Sequence, residues 1–202
     1  MLKDLLKNSK LIKEIKKFHE QNQEEILDII IFGSIVRGKK RPADIDLLLV
    51  FKNEENAELA YELKKILEKY DIKTEITGIK YQGIFEINFL PKEAILSEGY
   101  SLITGKSLSD SFGFKTYRMF IYSQEGFSQT KRMKFHYALN GRGDRSGILG
   151  HLKGLKLSNS TVIIPLERSE DFKDFLEFWD ISFKSFSLLI PERTIEYKEF
   201  EL

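Results

Sequence analysis

The sequence predicts an α/β (α+β) protein: a mixed β-sheet flanked by helices, followed by a smaller α/β C-terminal module. Three observations carry this expectation. Short apolar runs rich in β-branched residues, such as Ile26–Phe32 and Leu47–Phe51, alternate with stretches whose apolar residues recur at helical spacing. Gly33, Gly83 and Pro91 stand between such runs and punctuate them. The polar stretch Ser107-Leu-Ser-Asp-Ser-Phe-Gly113 interrupts the pattern and divides the chain into expected domains 1–108 and 109–202. With 202 residues the chain is long enough for two small domains with real cores.

The elements follow in order. Leu2, Leu5, Leu6, Ile12, Ile15 and Phe18 line one side of an amphipathic helix whose other side is lysine. A buried strand covers Ile26–Phe32 and stops at Gly33; a second covers Asp44–Phe51. Between Asn53 and Tyr70, Ala57, Leu59, Ala60, Leu63, Ile66 and Leu67 predict a helix. Strands are expected at Ile72–Lys80 and Ile84–Leu90, joined near Gly83, and Pro91 opens a short helical stretch ending near Gly99. Past the joint come a strand Phe114–Tyr122, a basic helix Gln129–Leu139, a turn at Gly141-Arg142-Gly143 and a short helix from Ser146. A strand Thr161–Ile164, a helix Glu170–Trp179 and a last strand Ile181–Ile190 complete the reading.

Composition narrows the function classes. Hydrophobic residues at 42% and charged residues at 31% mark a folding chain rather than a disordered one. A formal charge of +1 gives no bulk argument for nucleic acid or membrane, so any such argument rests on local clusters. The absence of cysteine rules out disulfides, thiolate zinc sites and a cysteine nucleophile. No apolar run approaches the ~18–20 residues that span a bilayer, and the N-terminus alternates lysine with leucine and isoleucine unlike a signal peptide. A cytoplasmic protein without a membrane partner is expected. His19, His136 and His151 are scattered and show no metal-ligand spacing.

The strongest signal is Ile29-Ile30-Ile31-Phe32-Gly33-Ser34, nine intervening residues, then Asp44-Ile45-Asp46-Leu47. On a strand, residues two apart project to one side, so Asp44 and Asp46 point together. Two carboxylates so placed repel, which a hard divalent cation such as Mg²⁺ relieves while also taking phosphate oxygens. Gly33 lets the backbone approach a phosphate and Ser34 offers a hydroxyl. The stretch Gly33-Ser-Ile-Val-Arg-Gly38-Lys39 almost spells a P-loop, but Lys40 stands where the Mg²⁺-binding hydroxyl belongs and Pro42 follows. Arg37, Lys39, Lys40 and Arg41 form a basic run between the two halves of the motif, suited to guiding a triphosphate.

These residues, Phe32-Gly33-Ser34 and Asp44-Ile45-Asp46-Leu47, resemble the signature of the nucleotidyltransferase superfamily that includes DNA polymerase β, CCA-adding enzymes and minimal prokaryotic nucleotidyltransferases. The resemblance covers about residues 25–105. It implies a nucleotidyltransferase-type mixed sheet and Mg²⁺- (or Mn²⁺-) dependent transfer of a nucleoside monophosphate from an NTP such as ATP. Asp44 and Asp46 would be catalytic metal ligands, and Gly33, Ser34, Arg37 and Lys39 would bind the nucleotide. The family usually adds a third carboxylate on a later strand. Glu86, flanked by apolar residues, is the expected third ligand, and Glu75, on an alternating strand, is its competitor.

The C-terminal module carries no such resemblance. Lys131, Arg132, Lys134, Arg142 and Arg145, interleaved with Phe135, His136 and Tyr137, form the candidate contact for RNA or DNA. Nucleic acid is therefore one expected acceptor. A partner protein, as for antitoxin-like minimal nucleotidyltransferases, is another, and a non-catalytic nucleic-acid-binding module that keeps the fold is the non-enzymatic alternative.

Overall fold

A computed structural model describes residues 2–195. The chain divides into two compact units, residues 1–112 and 113–202.

In the first unit the expected N-terminal helix is two, α1 (Leu2–Lys7) and α2 (Ser9–Gln21). Asn8 breaks it, because its side-chain oxygen accepts from the Leu11 N–H at 3.2 Å and caps α2. Strands β1 (Ile26–Phe32) and β2 (Ile45–Phe51) pair antiparallel, and helix α3 (Ala57–Glu68) carries the chain over to β3 (Thr74–Lys80), parallel to β2. A parallel neighbour needs such a crossover. Helix α4 (Lys92–Glu98) leads into β4 (Tyr100–Ser101), which pairs with β1 and closes a mixed sheet of order β3-β2-β1-β4. The short helix α5 (Leu108–Ser111) starts where Ser107 Oγ accepts from the Asp110 N–H at 3.1 Å, so the polar joint is partly helical.

The strands alternate cleanly. Ile29 and Ile31 of β1 and Ile45, Leu47, Leu49 and Phe51 of β2 are buried on one side, with Leu11, Ile15 and Phe18 of α2 and Leu59, Leu63 and Leu67 of α3. The other side buries Ile30, Leu48, Val50 and Ile79 with Ile95 of α4. Asp46 belongs to this second side, between Leu48 and the strand's start.

One expected strand is absent. After Lys80 the chain enters a tight 3₁₀ turn, Tyr81–Phe85, and Ile84–Leu90 forms no strand. The Glu86 and Phe89 N–H groups donate back to Gly83 and Glu86 at 3.1 Å, turning the chain instead of extending it. Ile84 and Phe89 drop onto the core while Phe85, Ile87 and Leu90 stay exposed. Their apolar character suggests a strand, but among the described residues no strand pairs with this segment.

The second unit is an antiparallel sheet with helices. It comprises β5 (Phe114–Tyr122), α6 (Gln129–Asn140), the hairpin β6 (Gly141–Arg142) and β7 (Arg145–Ser146), and α7 (Ile148–Leu152). Then follow β8 (Leu155–Ser158), β9 (Thr161–Pro165), α8 (Ser169–Phe178), β10 (Phe183–Pro191) and α9 (Glu192–Ile195). The sheet order is β10-β5-β9-β8. Its core gathers Phe120, Phe135, Leu139, Val162, Ile164, Phe172 and Leu176, with Phe175 and Trp179 packed against it. Among the described residues no helix is long and apolar enough to cross a membrane.

Candidate active site

The Gly33 turn sits at the end of β1. The register pairs Phe32, the last residue of β1, with Asp46, so the turn and the acid are neighbours by construction. Gly33 has φ +80°, and a Cβ added there would run into Asp46 Oδ2. Only glycine satisfies both the left-handed conformation and the approach of the carboxylate. The chain then coils tightly: Val36 and Arg37 N–H donate to Gly33 O, and Lys39 N–H donates to Ser34 O at 3.0 Å. This is one turn, Gly33–Ile35, rather than the long helix of a P-loop.

Three acids lie near that corner. Asp44 is exposed just before β2, and Asp46 is half-buried as its second residue. The parallel register places Glu75 of β3 directly beside Asp46, on the same side of the sheet. Burial holds the Asp46 carboxyl above the usual carboxylate range; repulsion from Asp44 and Glu75 adds to this, and the Arg37 guanidinium opposes it. Glu86 is not among the charged groups acting on Asp46. Lys80, at the far end of β3, pairs with Phe51, five residues along β2 from Asp46, roughly 17 Å at strand rise. Glu86 follows that far end through the Tyr81–Phe85 turn. The structure thus brings Glu75, and not Glu86, to the aspartates.

Among the described residues, no three acidic, histidine or cysteine side chains stand close enough together to hold a metal ion as they are. The donor chemistry nevertheless fits a hard divalent cation. All three candidate groups are carboxylates, Asp46 is repelled by both of its acidic neighbours, and a cation removes that repulsion.

Arg37 leaves the turn towards α4. Its Nη1 donates to Glu98 Oε2 at 2.6 Å, and Glu98 is 4% exposed. The sequence offered little hint of Glu98, since one acid after Ala94-Ile95-Leu96-Ser97 looks like any helix end. Lys39 is exposed and Ser34 half-buried, both on the turn.

The basic residues of the second unit do not form one face. Lys131 Nζ lies 3.9 Å over the Phe127 ring. Arg132 lines one cleft with His136 and Lys156, whereas Arg142 and Arg145 line another with His151 and Tyr137. Lys134 is exposed and lines neither cleft. Arg142 and Arg145 are directly opposite one another on β6 and β7, and the Arg142 guanidinium stacks 5.0 Å from the Tyr137 ring.

A family model described as polymerase beta, nucleotidyltransferase matches residues 13–107. Among solved structures the chain is similar to a mutant toxin–antitoxin MntA–HpeT, at 17% identity over 50% of this chain and 78% of that one, TM-score 0.37. It is also similar to the tri-AMPylated Shewanella oneidensis HEPN toxin in complex with MNT antitoxin, at 18% identity over 50% and 76%, TM-score 0.33. A toxin–antitoxin with AMP-PNP shows 19% identity over 50% and 78%, TM-score 0.37. No curated protein matches the chain.

Proposed function

We propose, from the match of residues 13–107 to the polymerase beta, nucleotidyltransferase family model, that the protein moves a nucleoside monophosphate from an NTP to an acceptor hydroxyl. The observation that carries the reading is the corner where Gly33 abuts Asp46 and Glu75 stands beside it. Asp44, Asp46 and Glu75 would hold a divalent cation. Mg²⁺ or Mn²⁺ held by these carboxylates would neutralise charge on the phosphates during an in-line displacement. The Gly33 turn admits the phosphate chain without a side chain in the way, and the Ser34 hydroxyl donates to a phosphate oxygen. Arg37 balances phosphate charge, and Lys39, out in solvent, draws the triphosphate in. The acceptor oxygen bonds to the α-phosphorus, the bond to pyrophosphate breaks, and the acceptor proton passes to a carboxylate of the cluster. Glu75 replaces Glu86 in this proposal because the sheet register puts it beside Asp46.

For the acceptor, the opposed Arg142 and Arg145 favour a nucleic acid. Two like charges across a hairpin destabilise it, and a phosphodiester between them reverses the sign. Lys131, Arg132 and Lys134 would contribute at most at separate points. The test is incubation with α-labelled NTPs and Mg²⁺, together with RNA and DNA oligonucleotides or a protein acceptor. Metal-dependent transfer to an oligonucleotide, lost in Asp44→Ala/Asp46→Ala, is expected. Transfer only to protein moves the acceptor to a partner. Binding of oligonucleotide without transfer by either form makes the domain a non-catalytic binding module.

A further inference from the structure

The buried Glu98 does nothing in the scheme above, and a buried carboxylate at the edge of a site calls for an account. Its place follows from the sheet. Tyr100 of β4 pairs antiparallel with Ile31 of β1, so the chain two residues before Tyr100 comes level with the turn two residues after Ile31. Glu98 therefore ends α4 beside the Gly33 turn. Gly99 fixes that end, because a Cβ there would meet the Ile95 carbonyl oxygen and come within 2.9 Å of Leu108 Cδ1 and 3.1 Å of Ile30 Cγ2. The helix end is thus pressed onto β1. From it Glu98 Oε2 accepts from Arg37 Nη1 at 2.6 Å, with side-chain exposures of 5% and 24%.

We propose that Glu98 is a positioning residue for nucleotide binding: it holds the Arg37 guanidinium at the Gly33 turn, where the phosphates of the NTP would lie. This rests on the reading of that corner as the NTP site. An arginine leaves the tight turn with several freely rotating bonds. Free in water, it would sample many directions, only some of which meet a phosphate. Tied through a terminal nitrogen to a buried carboxylate, its plane is set. A purely architectural ion pair could sit anywhere along α4. This one joins the helix to the residue that follows the phosphate turn.

The test compares wild type with Glu98→Gln, Glu98→Asp, Arg37→Gln and Glu98→Gln/Arg37→Gln. The readouts are steady-state transfer with NTP varied, and Kd for a non-hydrolysable ATP analogue. Glu98→Gln is expected to raise both the KM for NTP and the analogue Kd by about tenfold, with kcat changed much less. Adding it to Arg37→Gln costs nucleotide binding nothing further, because the carboxylate reaches the nucleotide through the guanidinium. Glu98→Asp recovers part of the loss. A Glu98→Gln protein of unchanged KM and Kd overturns the inference, as does a double variant whose losses multiply. If Glu98→Gln fails to fold, Arg37→Lys takes its place. It keeps the charge but loses the set plane, and it must raise KM and Kd; unchanged values overturn the inference. Wild type that binds the analogue but transfers nothing overturns the proposed activity and leaves the Kd comparison to judge Glu98.

Discussion

Replacing Gly33 by alanine strikes the corner on which the account depends. The φ of +80° costs an L-residue about 1–2 kcal/mol. The lost freedom of glycine in the unfolded chain returns about 0.4–1 kcal/mol of this. What remains is dominated by the clash: the new methyl occupies space held by Asp46 Oδ2, and the carboxylate must retreat by on the order of 1 Å to restore ordinary contact. A displacement of that size at a reacting centre costs about a hundredfold in rate. Gly33→Ala is therefore expected to unfold about 1–2 kcal/mol more easily in denaturant and to lose about two orders of magnitude in label transfer. The loss of activity far exceeds the loss of stability. Transfer within about threefold of wild type, in a variant less than about 0.5 kcal/mol destabilised, would refute the close approach of turn and acid.

Three further outcomes are expected. Asp28 is held above the usual carboxylate range by burial, although Ser101 Oγ and the Ile29 N–H both donate to its Oδ1. Its folded state favours the neutral form, so stability falls as pH rises from the unfolded carboxylate value through the folded one. Asp28→Asn, which keeps the accepting oxygen, should stabilise the protein in urea at pH 7 and make no difference near pH 3; destabilisation at pH 7 contradicts this. Phe135 is fully buried among the rings of Tyr122, Phe127, Phe175 and Trp179, at centroid distances of 5.5–6.3 Å. Phe135→Ala should cost about 3–5 kcal/mol, read from the fluorescence of the sole tryptophan, Trp179, during unfolding. Glu75→Gln should abolish most transfer while Glu86→Gln leaves it within about twofold, and equal losses in both would remove the register argument.

Much of the corner was legible in the sequence because the signals there are local. The apolar run ending at Phe32, the glycine at its end and the acids opening the next run fix two strands, a turn and their mutual placement. The sequence favours Glu86 over Glu75 as third carboxylate, whereas the proposed choice of Glu75 depends on which strand lies beside β2. Glu75 sits in an alternating pattern that also suits a wet strand. Glu86 sits among apolar residues that, once folded, are largely exposed. Hydrophobic neighbours suggest a buried strand around Glu86, but burial there depends on a strand partner that the pattern alone does not reveal. Glu98 escaped notice for the same kind of reason: its burial comes from β4 pairing with β1, a contact made across some seventy residues of chain. In the second unit, the basic residues are close in sequence, but a helix takes Arg132 to one cleft and a hairpin takes Arg142 and Arg145 to another.

The central claim is that Asp44, Asp46 and Glu75 form one cation-binding cluster at the Gly33 turn. A crystal structure with Mn²⁺ and a non-hydrolysable NTP tests it most directly through the anomalous signal of the metal. A peak coordinated by Asp44 and Asp46 is expected, with Glu75 as the third carboxylate and the phosphates against Gly33 and Ser34. A peak at Glu86, or nucleotide bound with no metal on Asp46, would contradict it.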